Sequence, residues 1–167
     1  VRRDEDLAWL AEAVELSRRC PPSESAFSVG AVLVGPSGSV IATGYSRELT
    51  VIDHAEEVAL GRAGALEETG ALAVAGALAV AGAFDPVGVT LYSSLEPCLT
   101  RVSRPAGCAS LIERSGVRRV VIAWREPPVF QPGGGAEWLS RHGVEVIEVP
   151  ELAEAALAVN ERLLGRG

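Results

Sequence analysis

The chain has 167 residues, 48% of them hydrophobic and only 5% aromatic, a composition that suits one α/β domain with an aliphatic core and leaves no room for a second catalytic unit. A formal net charge of −7 excludes a partner held by attraction to a phosphate backbone, so nucleic acid is set aside and a small molecule is favoured. All fifteen positive side chains are arginine, and with no lysine neither Schiff-base nor P-loop chemistry is available.

The elements follow in order. Leu7, Leu10, Val14 and Leu16 recur near a 3.6-residue period, which predicts a helix over Asp6 to Arg19, stopped by Pro21-Pro22. Val29 to Val34 and Val40 to Gly44, joined by Gly35-Pro36-Ser37-Gly38, predict a β-hairpin. A helix over Asp53 to about Ala63 carries His54 and Glu56 in its first turn. Ala71-Leu-Ala-Val-Ala-Gly76 is repeated as Ala77-Leu-Ala-Val-Ala-Gly82. Two copies cannot build a solenoid, so the 71–82 segment is an expanded helix or linker inside a single domain spanning 1–167. Val87 to Tyr92 reads as a buried strand, Ala109 to Ser115 as a helix ended by Gly116, and Val117 to Ala123 as a strand. A short helix (Ala136 to Arg141), a strand (Val144 to Val149) and a closing helix (Glu151 to Leu164) complete the chain. This order predicts an α/β fold in which a mixed five-stranded sheet carries helices on both faces.

No apolar stretch reaches the roughly twenty residues that span a bilayer, and Val-Arg-Arg-Asp-Glu-Asp at the start lacks the apolar core of a secretory signal. The expectation is a cytoplasmic protein without a membrane partner. Its three cysteines do not make a disulfide framework.

Chemistry concentrates in two places, His54-Ala55-Glu56 and the segment from Glu96-Pro97-Cys98 to Cys108. A catalytic zinc ion takes about three protein ligands from imidazole and thiolate and keeps a further position for water. His54, Cys98 and Cys108 supply that set, and Cys20 is left over. Glu56, two residues beyond the histidine, is placed to move a proton between water and a departing amine, the division of labour in zinc nucleobase deaminases. The same residues have plainer readings. Asp53 and Glu56 have the spacing of a capping box, Pro97 suits a first helical turn, and buried cysteine behaves as a small hydrophobe. Capping and zinc binding are compatible, and the coincidence of ligand types favours the metal. His142, before Gly143, reads as a helix end.

With these residues identified, the chain resembles the cytidine deaminase-like superfamily of zinc hydrolases, and most closely the pyrimidine deaminase half of the bifunctional riboflavin-biosynthesis enzyme. Most members of the superfamily space the two cysteines as C-x-x-C, whereas here nine residues intervene. The riboflavin-type enzymes have a similarly long insert ending Gly-Arg-Thr-Pro-Pro-Cys, which Ser103-Arg104-Pro105-Ala106-Gly107-Cys108 resembles. Glu126-Pro127 and Gly133-Gly134-Gly135 resemble the family's acidic-Pro turn and glycine loop. Phe27-Ser28-Val29-Gly30-Ala31 is similar to the Phe-x-Val-Gly-Ala of free-nucleoside deaminases, and Ala26 stands where riboflavin-type enzymes have asparagine.

The resemblance implies the three-layer α/β/α cytidine deaminase-like fold, one zinc ion and a homodimer. It also implies hydrolytic removal of an exocyclic amine from a small aminopyrimidine or related heterocycle, with Glu56 catalytic. Phe27 is a face for the ring or a core residue. Arg104 is a donor to substrate or a solvated loop arginine. Trp124 lines the pocket or packs in the core. The competing reading is a non-catalytic module that binds structural zinc or a pyrimidine.

Overall fold

The structure, a computed structural model, describes residues 2–66 and 84–165. The duplicated 71–82 segment lies outside the described residues. The chain opens with helix α1 (Arg2–Ser17), followed by strands β1 (Gly30–Val34) and β2 (Val40–Tyr45) and helix α2 (Ala55–Arg62). Strand β3 (Thr90–Ser93), helix α3 (Cys108–Ser115) and strand β4 (Arg119–Ile122) form the middle. Helix α4 (Gly135–Arg141), strand β5 (Glu145–Glu148) and helix α5 (Ala153–Ala158) close it.

The five strands lie in the order β2-β1-β3-β4-β5. β1 is antiparallel to β2 and to β3, while β3, β4 and β5 run parallel. The predicted mixed sheet is therefore present, with the antiparallel hairpin at one edge. Every residue of β1, β3 and β4 is buried, as expected of strands covered on both faces. On one face Leu10, Ala13 and Val14 of α1 pack with Val32, Tyr92 and Val121, and Ala156 of α5 joins them. On the other, Ala59 and Leu60 of α2, Leu111 and Ile112 of α3 and Leu139 of α4 pack with Leu33, Leu91, Val120 and Ile122. Alternate residues of each strand thus feed opposite cores, which fixes the register. A Cβ on Gly44 would lie 2.4 Å from the Ala55 carbonyl oxygen, so only glycine lets the start of α2 settle on β2.

The opening helix begins at Arg2 and not Asp6, and the strand predicted from Val87 begins at Thr90, because Val87 and Gly88 form an exposed turn. Two further differences have side-chain causes. The closing helix is not continuous. Asn160 Nδ2 donates to the Ala156 carbonyl at 3.2 Å, taking the acceptor that a continuing helix would use, while the Asn160 amide turns to Leu157. The same side chain clasps Ser28, accepting from its amide at 2.7 Å and donating to its carbonyl at 3.0 Å, so the interruption ties the C-terminal segment to the approach to β1. The second difference is at α2, where His54 and not Asp53 is the N-cap. Asp53 is turned backwards, accepting from the Leu49 and Thr50 amides and the Thr50 hydroxyl at 2.8, 2.5 and 2.9 Å, which closes the loop ahead of the helix.

α1 is anchored by a buried cluster. Arg119 of β4 grips Asp6 in a bidentate pair, with Nη1 and Nη2 at 2.8 and 2.7 Å from the two carboxylate oxygens, and the Tyr92 hydroxyl adds a bond at 2.9 Å. Burial pushes the Asp6 carboxyl up, but the hydrogen bonds from Arg119 and Tyr92 outweigh it and hold the group below its ordinary value. A carboxylate depressed in the folded state stabilises above its unfolded pKa, near 3.9, and that contribution is lost as pH falls through the lower, folded value. Urea unfolding between about pH 3 and 6 is therefore expected to show stability falling on acidification, with a shallower fall in Asp6→Asn.

Candidate active site

The parallel strands β3 and β4 end on one side of the sheet, and the chain beyond them meets the first turns of α2 and α3 there, as ligand sites of α/β sheets do. His54 stands at the start of α2 and Cys108 is the first residue of α3. Cys98 arrives on the loop after β3. His54 Nδ1 lies 3.5 Å from each of the two sulfurs, and the three donor atoms fall within 4.8 Å of one another. Zinc–sulfur bonds of about 2.3 Å and zinc–nitrogen bonds of about 2.0–2.1 Å at a tetrahedral angle put nitrogen and sulfur about 3.6 Å apart, so the spacing fits one shared zinc ion. Among the described residues no further His, Cys, Asp or Glu joins the group, which leaves room for a solvent ligand.

The two thiols affect each other in opposite directions. A hydrogen bond from the Cys108 thiol, set against burial and helped by His54, pulls the Cys98 thiol down to about 4. Cys108, which gives that bond, is pushed up. The Cys98 sulfur also accepts the Cys108 amide at 3.3 Å, at the positive end of α3.

Glu56, the second residue of α2, is only 3% exposed yet lines the pocket beside the cluster. Burial pushes its carboxyl above the ordinary range, against the opposing effect of His54. The Ser93 hydroxyl lies 2.9 Å from Glu56 Oε1. The pocket has a volume of about 420 Å³, and its walls include Phe27, His54, Arg101, Glu126 and Phe130. Phe27 meets Phe130 edge-on at 5.0 Å and Trp124 at 5.9 Å, so Phe27 faces the pocket with Trp124 packed against it. Burial, followed by the charges of Cys98, Glu56 and Glu96, pushes the Glu126 carboxyl, which also lines this space, up to about 8.

Arg104 is placed differently from a substrate donor. Its guanidinium pairs with Glu57 at 2.5 Å and with Asp53 at 3.5 Å. Arg101 also binds Glu57, through Nη1 at 3.2 Å, and donates to the Ile52 carbonyl at 2.6 Å. Two arginines of the loop between the cysteines are thus tied to the helix that carries Glu56, and a buried ion cluster joins the segments that bear the three candidate metal donors. His142 caps α4, its ring stacked on Trp138 at 3.7 Å. Cys20 is free, its thiol 3.4 Å from the Val29 carbonyl.

Sequence reasoning missed several members of this assembly. Glu96 is 3% exposed, and its two oxygens accept from the Glu126 and Ala136 amides at 3.2 and 3.0 Å, joining the Glu126 turn to the start of α4. A Cβ on Gly135 would come within 1.8 Å of the Pro97 carbonyl oxygen, so α4 abuts the ligand loop only through glycine. Glu57, Arg101, Ser93 and Phe130 carried no signal, because an acid in a helix, an arginine in a loop, a serine in a strand and a lone phenylalanine are all ordinary.

This fold and donor set define an α/β/α domain with a candidate zinc centre. Residues 3–124 match the cytidine and deoxycytidylate deaminase zinc-binding region, and the chain belongs to that family. It is 34% identical over 140 residues to the diaminohydroxyphosphoribosylamino-pyrimidine deaminase of Schizosaccharomyces pombe, covering 84% of this chain and 31% of that protein. It is 37% identical over 134 residues to the riboflavin biosynthesis protein RibD of Aquifex aeolicus, covering 80% and 31%. The chain therefore spans about a third of the length of these relatives. Among solved structures, the bifunctional deaminase/reductase of Thermotoga maritima superposes with a TM-score of 0.73 at 29% identity, over 98% of this chain and 41% of that one. The Rib2 deaminase of Aspergillus oryzae, solved in complex with DARIPP, gives 0.72 at 25% identity, over 93% and 89%.

Proposed function

We propose that this chain is a hydrolytic deaminase that removes an exocyclic amine from a small aminopyrimidine or closely related heterocycle. The observation that carries the reading is the convergence of one imidazole and two sulfurs on a common point beside a buried, pocket-facing carboxylate. A purely structural zinc site is normally closed by a fourth protein ligand. This cluster offers three, and Glu56 stands where structural zinc would need no acid.

His54, Cys98 and Cys108 would hold the zinc. Bound there, zinc supplies the Lewis acidity that makes water a nucleophile near neutral pH. Glu56 takes one proton from the attacking water and gives it to the ring nitrogen, then takes a second from the hydroxyl on the tetrahedral carbon and gives it to the departing amine, so that ammonia leaves and the carbonyl forms. A buried carboxyl whose pKa is raised suits both halves of that exchange. Phe27 and Phe130 offer aromatic surface on which a flat ring can lie.

The relatives support a diaminopyrimidinone ribosyl phosphate as the ring system, because the S. pombe and Thermotoga proteins are named for that substrate. The site differs from the riboflavin-type pattern at Ala26, where a polar reader of the substrate would be missing, so unphosphorylated aminopyrimidines, aminopurines and aminotriazines are tested beside it. A homodimer and a cytoplasmic location complete the proposal by analogy with the family.

The test is ammonia release by the zinc-loaded protein against cytosine, cytidine, guanine, adenine, aminotriazines and the riboflavin precursor, with metal content measured in parallel. At least one compound is expected to be turned over, with activity lost on chelation and regained with zinc. Full zinc occupancy with no ammonia from any compound would instead support the non-catalytic module.

A further inference from the structure

Ser93 ends β3 with no exposed surface, and its side chain makes no contribution to the sheet ladder. The adjacent Ser94 has an evident structural task, since its hydroxyl accepts the Gly30 amide at 3.0 Å and helps lock β1. Ser93 turns to the other side. Its Oγ lies 2.9 Å from Glu56 Oε1 and 2.8 Å from the Leu95 carbonyl oxygen. Among the described residues it is the one side chain that hydrogen-bonds Glu56. A buried carboxylate on one turn of helix has several rotamers open to it, and a proton shuttle has to keep one of its oxygens on the reacting atoms.

We propose that Ser93 is a positioning residue for Glu56, its hydroxyl holding Oε1 against the end of β3 so that the second oxygen is left to the pocket. The single hydrogen of that hydroxyl is shared between Glu56 Oε1 and the Leu95 carbonyl, and the two acceptors hold Oγ between the end of β3 and α2. One strand residue thereby orients the acid, while the segment that follows delivers Cys98. The inference rests on the deaminase reading of the site.

Ser93→Ala, Ser93→Cys and Ser93→Thr test it in the zinc-loaded full chain. Cysteine keeps the shape but is a weak donor, and threonine keeps the hydroxyl. Ammonia release from diaminohydroxyphosphoribosylaminopyrimidine and from the compounds screened above gives kcat and KM, and crystals of zinc-loaded wild type and Ser93→Ala show where the Glu56 carboxylate lies. The expected result for Ala and Cys is kcat reduced about 10- to 100-fold, with KM and zinc content unchanged and activity largely restored by Thr. In the Ser93→Ala crystal the Glu56 carboxylate is expected to leave its wild-type place. Wild-type kcat in Ala and Cys, loss of activity only in step with zinc, or an unmoved Glu56 overturns the proposal. A wild-type protein inactive on every compound counts against the deaminase reading, and the position of Glu56 then decides the role of Ser93 alone. If the alanine variant does not fold, the cysteine variant serves in both arms.

Discussion

Glu56→Gln is expected to yield a folded protein with its full complement of zinc whose ammonia release is slower by about three orders of magnitude, within the range a positioned acid–base group supplies. The amide has nearly the same shape and can still accept from the Ser93 hydroxyl, so packing at this 3% exposed position is preserved. What it lacks is a basic oxygen for the proton that water must lose. Zinc content by atomic emission and turnover in a coupled ammonia assay separate the two properties. A variant with turnover within about threefold of wild type on a confirmed substrate would remove Glu56 from the proposed chemistry.

The neighbouring acid should fail in the opposite way. Glu57 has no exposed surface, and Arg101 and Arg104 both point their guanidinium groups at it. Glu57→Ala leaves the buried Arg101 charge uncompensated and frees the loop between the cysteines, while Arg104 retains Asp53. Breaking a buried pair from one side costs about 3–5 kcal/mol. The expected result is a loss of that size in urea unfolding, accompanied by weaker retention of zinc, because the loop that delivers Cys98 and Cys108 is no longer tied to α2. A loss below about 1 kcal/mol would mean that the cluster is no stronger than a surface ion pair. Adjacent residues of identical type are thus expected to separate into one that governs turnover and one that governs stability.

The candidate metal donors and the proposed acid Glu56 are legible in the amino-acid sequence, because zinc accepts few side-chain types and the chain has only two histidines and three cysteines. The sheet is legible as well. Its β-branched runs and turn glycines are local signals, and the strand order follows from a hairpin followed by crossover helices. Of the boundaries that shifted, those at Asp53 and Asn160 did so because each side chain found partners that local patterning does not encode, Asn160 at Ser28 across most of the chain length.

Arg104 shows where local reading ends. Its place four residues before a ligand cysteine is visible in the sequence, but whether the guanidinium reaches into the pocket or back to Glu57 depends on how the loop lies over α2. That is settled by the ion cluster with Arg101 and Asp53. Ser93, Glu96, Phe27 and Phe130 belong to the same group, since each matters through a neighbour distant in sequence. The amino-acid sequence alone determined the candidate donor set and the layered fold, because residue identity and helical or strand periodicity are local properties. Only the tertiary structure decided which buried charges neutralise each other and which side chains face the pocket, because those outcomes are set by long-range packing and by the energetic demand that buried polar groups find partners.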